Sequence, residues 1–437
     1  MNYRPIAGLG LALTLLLSGC ARSESPPVSS PSPSQPASSP AKPSATPSPS
    51  ASSGASQPAS PSPSGSKEPS APTDPVKTRM EKMTLEEKVG QLILAGLEGK
   101  ELDAEAKRMI REDKVGGVIL YSNNVSDLKG TVALVNAIKR TNVANPAPIF
   151  VSVDQEGGRV SRLPSEYVKF PANAAVGATG DADLAEAMGQ LLGRALTSSG
   201  FNMDFAPVLD VNSNPDNPVI GDRSFGSSAD LVSKLGLAEL TGLRSEGVIP
   251  VVKHFPGHGD TSVDSHLDLP VVDKTPEQLA KLEWVPFQAA VKNHAEAVMV
   301  AHILYPKIDP DKPGSLSKRI VGDILRGDMG YDGVVITDDL GMGAIAKHYP
   351  LAEASVMAIE AGADILLVGH GYDNERTAFE SVLKSVKSGK ISEERLDESV
   401  YRILSLKSKY ELQDAKSPVP DLKELNADIR DWREKIG

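Results

Sequence analysis

The chain of 437 residues has one cysteine, Cys20, so it forms no internal disulfide and offers no cysteine-rich metal site. Positive charge is in deficit: 46 Lys and Arg stand against 57 Asp and Glu, for a net charge of −11. A nucleic-acid surface is therefore not expected. Beyond residue 20 no apolar stretch approaches the length needed to cross a membrane. Aromatic residues are missing altogether from residues 21–75, which are Ser, Pro and Ala with little else and hold fifteen of the chain's 34 prolines. With no core to offset the entropy of ordering, this segment is expected to be a disordered tether, partly polyproline II.

Residues 1–20 carry one cation, Arg4, then an apolar run from Ile6 to Leu17 and the sequence Leu17-Ser18-Gly19-Cys20. The run is short for a bilayer and has the layout of a signal peptide. The small residues before Cys20 resemble a bacterial lipobox, which would make Cys20 the lipidated first residue of the mature chain. The alternative is an ordinary signal peptide with an incidental cysteine. At about 3.1 Å per residue the tether would reach on the order of 150 Å, far enough to carry a domain into a thick cell wall. The expected address is extracytoplasmic, lipid-anchored and Gram-positive, with the membrane touched only through the anchor.

Residues 76–437 are ample for one large domain. Short β-branched apolar runs alternate with segments of helical spacing. Strands are expected at Leu92–Ala95, Gly117–Tyr121, Ile149–Val153, Asn202–Val208, Val248–Lys253, Ala297–His302, Gly333–Thr337 and Asp364–Val368. Between them, Leu184, Met188, Leu191 and Ala195 mark an amphipathic helix over Asp183–Ser199. Thr275-Pro276-Glu277-Gln278 reads as a capping box, and a further helix is expected near Leu422–Lys435. Eight strands alternating with helices predict an α/β fold with a parallel sheet, and the number eight favours a closed (β/α)8 TIM-type barrel.

In such a barrel chemistry collects where strands end. The third strand ends in Asp154-Gln155-Glu156-Gly157-Gly158-Arg159, and the fourth leads to Asp210 and Arg223. The fifth ends in Lys253-His254, the sixth in His302 and the seventh in Asp338-Asp339. The segments that precede the strands show no comparable set. The densest stretch is Lys253-His254-Phe255-Pro256-Gly257-His258-Gly259-Asp260-Thr261 with Asp264-Ser265-His266. A cation, three histidines and two aspartates on a glycine-bearing loop suit proton transfer.

Four motifs carry a family resemblance: DQEGGRV at 154–160, DRSFG at 222–226, KHFPGHGDT at 253–261 followed by DSH at 264–266, and TDDLGM at 337–342. Together, over residues 78 to 410, they resemble a glycoside hydrolase family 3 β-N-acetylglucosaminidase of single-domain, lipoprotein form. The resemblance implies a retaining exo-β-N-acetylglucosaminidase that removes terminal β-GlcNAc from peptidoglycan fragments. It implies Asp338 as the nucleophile of a covalent glycosyl-enzyme, and a His266–Asp264 dyad as general acid and base. Asp154, Arg162, Arg223, Lys253 and His254 match the substrate contacts. No metal or organic cofactor is implied, and a monomer is expected. Asp339 competes with Asp338 but reads as a helix cap. A surface salt bridge is the other reading for Arg162. Glu156 and Arg159 are expected to hold the glycine turn and His258 to brace the loop. His302 fits a pocket floor or an interior hydrogen bond equally. His294, His348 and His370 carry no expected role.

Three rivals share parts of this pattern. A metal-dependent barrel hydrolase would need paired histidines on an early strand, and Leu92-Ile93-Leu94-Ala95-Gly96 has none. A non-catalytic cell-wall binder would have no use for the nucleophile and the dyad. A phosphorylase using the same site remains an alternative, because a neutral histidine does not repel phosphate.

Overall fold

The computed structural model describes residues 74–437. The expected signal peptide, Cys20 and the tether up to residue 73 lie outside the described residues. Asp74 and Pro75, placed at the end of the tether by composition, open the fold instead. The Asp74 carboxylate accepts from the backbone N–H of Val76 and Lys77, and Pro75 takes the first position of a helix ending at Met80. An intrahelical donor is not needed there, which is why Asp-Pro starts helices well.

Ten strands follow: β1 (Ile93–Gly96), β2 (Gly117–Leu120), β3 (Phe150–Val153), β4 (Met203–Asp204), β5 (Ile249–Phe255), β6 (Ala297–Val300), β7 (Leu304–Tyr305), β8 (Asp309–Pro313), β9 (Val334–Thr337) and β10 (Leu366–Val368). Eight of them form one sheet in the order β10-β1-β2-β3-β4-β5-β6-β9, every pair parallel. Ile336 and Ile365 bridge in parallel, and the Thr337 N–H donates to the Ile365 carbonyl at 3.0 Å, so the last strand returns to the first. This is the expected (β/α)8 barrel. Its strands are buried on both faces, which is why they read as unbroken apolar runs without alternation.

Two features depart from the sequence reading. The fourth strand was expected over Asn202–Val208 but pairs regularly only at Met203 and Asp204, because Pro207 has no N–H to give the ladder. After β6 the chain inserts an antiparallel hairpin, β7 with β8. Its second arm, Asp309-Pro310-Asp311-Lys312-Pro313, has the composition of a loop, so only its tertiary pairing makes it a strand. The hairpin braces the neighbouring loop through the Tyr305 hydroxyl, which donates to the Gly257 carbonyl at 2.6 Å.

The helices follow their signals closely. Ala182–Ser198 presents Met188, Leu191, Leu192 and Ala195 to the core, and Thr275 with Gln278 forms the expected capping box. The tail helix, Lys423–Glu434, docks through Trp432, whose indole N–H donates to the Leu184 carbonyl at 3.0 Å. Helix Glu393–Lys409 closes the end of the barrel where the strands begin. There the buried Lys407 ammonium donates to Gln91 Oε1 and to the Gly116 carbonyl, both at 2.8 Å, and lies 4.5 Å from the centre of the Phe150 ring.

Candidate active site

At the opposite end, where the strands stop, a cavity of about 340 Å³ opens. Seven of the eight residues assigned by sequence to chemistry or substrate line it: Asp154, Arg162, Arg223, Lys253, His254, His266 and Asp338. The eighth, Asp264, stands behind His266.

The inner wall is a buried ion network. Lys253 Nζ lies 2.5 Å from Asp154 Oδ1 and 2.7 Å from Glu156 Oε1. Arg223 grips the same Glu156 with both prongs, Nε at 2.8 Å and Nη2 at 2.7 Å. Burial opposes the charge on Glu156, but Arg223 and Lys253 outweigh it and hold the carboxyl far below its ordinary value. Burial also opposes the charge on Lys253, and Asp154 and Glu156 reverse it, so the ammonium sits above its usual value. Glu156 therefore does more than steady a glycine turn: its side chain fixes two of the cavity's cations. Arg159 does tie loops together, meeting Asp222 at 2.9 Å and donating to the Val219 and Ile220 carbonyls.

Asp210 organises the loop after β5. Its Oδ2 lies 2.6 Å from His254 Nδ1 and its Oδ1 accepts the His258 N–H at 2.6 Å. His254 Nε2 faces Arg223 Nη2 at 3.4 Å. The Lys253–His254 peptide is cis. His258 braces the loop from Thr261 to Ser265, at 2.9 and 3.1 Å, and burial pushes its imidazole down to about 4, so it stays neutral. Gly259 is dictated by a close approach: a Cβ there would fall 1.7 Å from the Val211 carbonyl oxygen.

The reactive edge is formed by two loops in contact. Asp338 directly follows β9, and the Asp339 N–H donates to its Oδ1 at 2.8 Å. Burial alone would raise the Asp338 carboxyl, but the fields of His302 and His254 and that N–H outweigh it, so the group sits below its ordinary value. The field of His266 also reaches it. His266 Nδ1 and the His266 N–H both meet Asp264 Oδ1 at 2.9 Å, which leaves Nε2 for a ligand. The Asp264–His266 loop is clasped by the loop beyond the Asp338 strand: Ala344 N–H donates to the Ser265 carbonyl at 3.1 Å. A Cβ on Gly343 would lie 2.6 Å from the His266 carbonyl oxygen, so a larger residue would push the two apart.

The neighbouring residues divide clearly. Asp339 turns inward, accepting from Gly341 N–H at 2.9 Å and Gly369 N–H at 3.0 Å. His302 is an interior histidine: Nε2 donates to the Asp339 carbonyl at 2.9 Å, and Ser315 Oγ sits 2.6 Å from Nδ1. Tyr121 and His370, given no role by the sequence, also line the cavity. Both lie just past strand ends, β2 and β10, and that position is the signal that could have found them. Among the described residues no group of three His, Cys, Asp or Glu is arranged to hold a metal ion.

Residues 84–406 match the model of the glycosyl hydrolase family 3 N-terminal domain. The chain belongs to glycoside hydrolase family 3. It is 38% identical over 282 residues to a β-hexosaminidase of Alkalilimnicola ehrlichii, covering 63% of this chain and 80% of that one. It is 36% identical over 333 residues to β-hexosaminidase A of Pseudoalteromonas piscicida, covering 70% of this chain but 56% of that longer protein. Among solved structures, a family 3 β-N-acetylglucosaminidase from Paenibacillus sp. superposes with a TM-score of 0.77 at 42% identity, over 81% of this chain and 69% of that one. A β-N-acetylhexosaminidase from Beutenbergia cavernae superposes at 0.69 and 31% identity, over 75% of this chain and 99% of that one. The two solved structures share the barrel described above.

Proposed function

We propose that this family 3 glycoside hydrolase is a retaining exo-β-N-acetylglucosaminidase that trims terminal β-GlcNAc from peptidoglycan fragments outside the cell. One observation carries the reading: Asp338 and His266, from the loops of different strands, border the same cavity, whose inner wall is the Lys253–Asp154 pair. Retaining hydrolysis needs a carboxylate at the anomeric carbon and a proton donor beside the departing oxygen. Asp338, kept ionised, attacks the carbon and forms a glycosyl ester. His266 gives its Nε2 proton to the leaving oxygen as the glycosidic bond breaks. It then takes a proton from water, whose oxygen displaces Asp338 and releases the sugar. Asp264 holds the imidazole by Nδ1 and stabilises its charged form. His266 is 67% exposed, so an arriving substrate covers it and dries the proton path.

Asp154 retains an oxygen beyond its bond to Lys253, and Arg162 lines the cavity without a salt bridge among the described residues. Both suit sugar hydroxyl and acetamido oxygens, with Arg223, Lys253 and His254 completing the wall. The β-hexosaminidase relatives support the identity of the sugar. The lipobox-like sequence before Cys20 and the Ser/Pro-rich composition of residues 21–75 support a lipid-anchored domain working towards the cell wall, taken here to be a monomer, and loss of palmitate labelling in Cys20→Ala would check the anchor.

The decisive assay sets an aryl β-GlcNAc beside its β-glucoside, follows the first-formed anomer by NMR, and repeats turnover in phosphate buffer. The reading expects the GlcNAc substrate alone to turn over well, the β-anomer to appear first, and free sugar rather than sugar phosphate. An α-anomer first, or GlcNAc-1-phosphate as product, would overturn it.

A further inference from the structure

The cavity carries two exposed imidazoles of the same construction, and the mechanism uses only one. His266 is held through Nδ1 by Asp264 at 2.9 Å, and His370 is held through Nδ1 by Asp339 at 2.9 Å. The two side chains are 67% and 69% exposed, against 1% for Lys253 and Glu156 on the inner wall. The imidazoles therefore mark the rim of the cavity. A sugar seated against the inner wall with its anomeric carbon at Asp338 must send its aglycone outward past that rim.

His370 is fixed in place more firmly than a surface histidine. Its ring stacks on Tyr121, with centroids 4.8 Å apart and planes at 19°, and its carbonyl accepts from Asn374 Nδ2 at 2.9 Å. The carboxylate behind it is itself immobilised by the Gly341 and Gly369 N–H groups. With Nδ1–H donating to Asp339, Nε2 has no partner among the described residues. The hydrogen bond to Asp339 is also the main reason the imidazole holds its proton above the usual value. Of the other lining cations, Lys253 and Arg223 are bound to Glu156, and Arg162, which forms no salt bridge among the described residues, is assigned above to the oxygens of the terminal sugar.

We propose that His370, braced by Asp339 and Tyr121, is a specificity residue that recognises a carboxylate carried by the sugar on the departing side of the scissile bond. A pre-oriented imidazole whose bond to Asp339 favours the protonated form, at the mouth of an otherwise polar cavity, is suited to such a group, and a charge-assisted hydrogen bond is roughly twice as strong as a neutral one. A lactyl ether carboxylate, as on N-acetylmuramic acid, has this chemistry, and an N-acetylglucosamine aglycone lacks it. The inference rests on the proposed cleavage of terminal β-GlcNAc.

The test compares three disaccharides with full-length protein: GlcNAc-β-1,4-MurNAc, the methyl ester of its lactyl group, and GlcNAc-β-1,4-GlcNAc. Wild type is expected to show kcat/KM about tenfold higher for the free acid than for the ester, expressed mainly in KM and shrinking as salt rises. His370→Gln is expected to erase that ratio, losing about tenfold more on the acid than on the neutral disaccharide. Equal rates for acid and ester in wild type would overturn the proposal without any variant. Equal losses of His370→Gln on acid and neutral substrates would overturn it as well, leaving a structural role. Failure of the underlying function is separate, because no aryl β-GlcNAc would then be cleaved.

Discussion

The two ends of the barrel use the same charged residue types for opposite purposes. Where the strands begin, Asp364 is surrounded by Arg326 at 2.5 Å, Arg402 at 3.3 Å and Arg395 at 3.7 Å, and its Oδ1 also accepts from Ser399. Glu296 is closed by Arg244 at 2.8 Å and Lys409 at 2.7 Å. Both carboxylates find their partners within the protein. Where the strands stop, the inner wall is built just as tightly, yet Asp338, His266 and His370 each keep an atom facing the cavity. A satisfied ion network specifies structure, and one with spare valence can meet a substrate. The difference lies in what is left unpaired and not in how many charges are present.

The comparison breaks most visibly at Asp338. Asp338→Ala is expected to leave less than about a thousandth of wild-type kcat on an aryl β-GlcNAc while the melting temperature hardly moves. Substantial residual turnover would remove it from the nucleophile's place. Asp364→Ala should do the reverse. Stripping the carboxylate from three arginines is expected to cost about 3–5 kcal/mol in urea denaturation, with kcat preserved in whatever stays folded. A comparable loss of turnover per folded molecule would show that the two ends are not separate in function.

His266→Ala sharpens the contrast within the upper end. On disaccharides with poor leaving groups the loss should be about a hundredfold, and on an activated aryl glycoside far smaller in the bond-breaking step. Equal losses on both would argue against proton donation to the leaving oxygen. The smallest expected effect concerns Glu239, fully buried behind the inner wall, both oxygens without a partner among the described residues. Burial, reinforced by Glu156, pushes its carboxyl up to about 8. A folded-state value above the unfolded one, about 4.3, means the folded protein holds this proton more tightly. Stability from this group is present below about pH 4.3 and is lost as pH rises through 8. Glu239→Gln should flatten that slope, gaining about 1 kcal/mol or more relative to wild type at pH 9 compared with pH 5. An unchanged slope in paired urea titrations would show that Glu239 does not titrate in this range.

Particular residues show how far sequence could be read. The eight barrel strands were legible because parallel strands buried on both faces leave unbroken apolar runs, and Val334–Thr337 is such a run. The members of the cavity were legible because barrel geometry brings strand ends together, so a list of strand-end polar residues is already a list of neighbours. Tyr121 and His370 escaped for a different reason. Both stand just past strand ends, but one is an aromatic closing an apolar run and the other a lone histidine before a helix, and it is stacking and Asp339 that join them. The charge at the lower end escaped because Asp364 draws its arginine partners from helices 31 to 38 residues away.

Sequence alone therefore determined the periodicities, the helix caps and which side chains stand at each strand end, because these depend on local chemistry and on a closed ring's fixed order. Tertiary structure alone decided which charges neutralise one another. Glu156 became the anchor of Lys253 and Arg223, Asp210 the holder of His254 and His258, and Asp339 the partner of His370. Those pairings depend on distances of a few ångströms between loops far apart in the chain. A charge pair at such range is worth several kilocalories per mole in a partly buried site and almost nothing in open solvent, and linear spacing records neither distance nor burial.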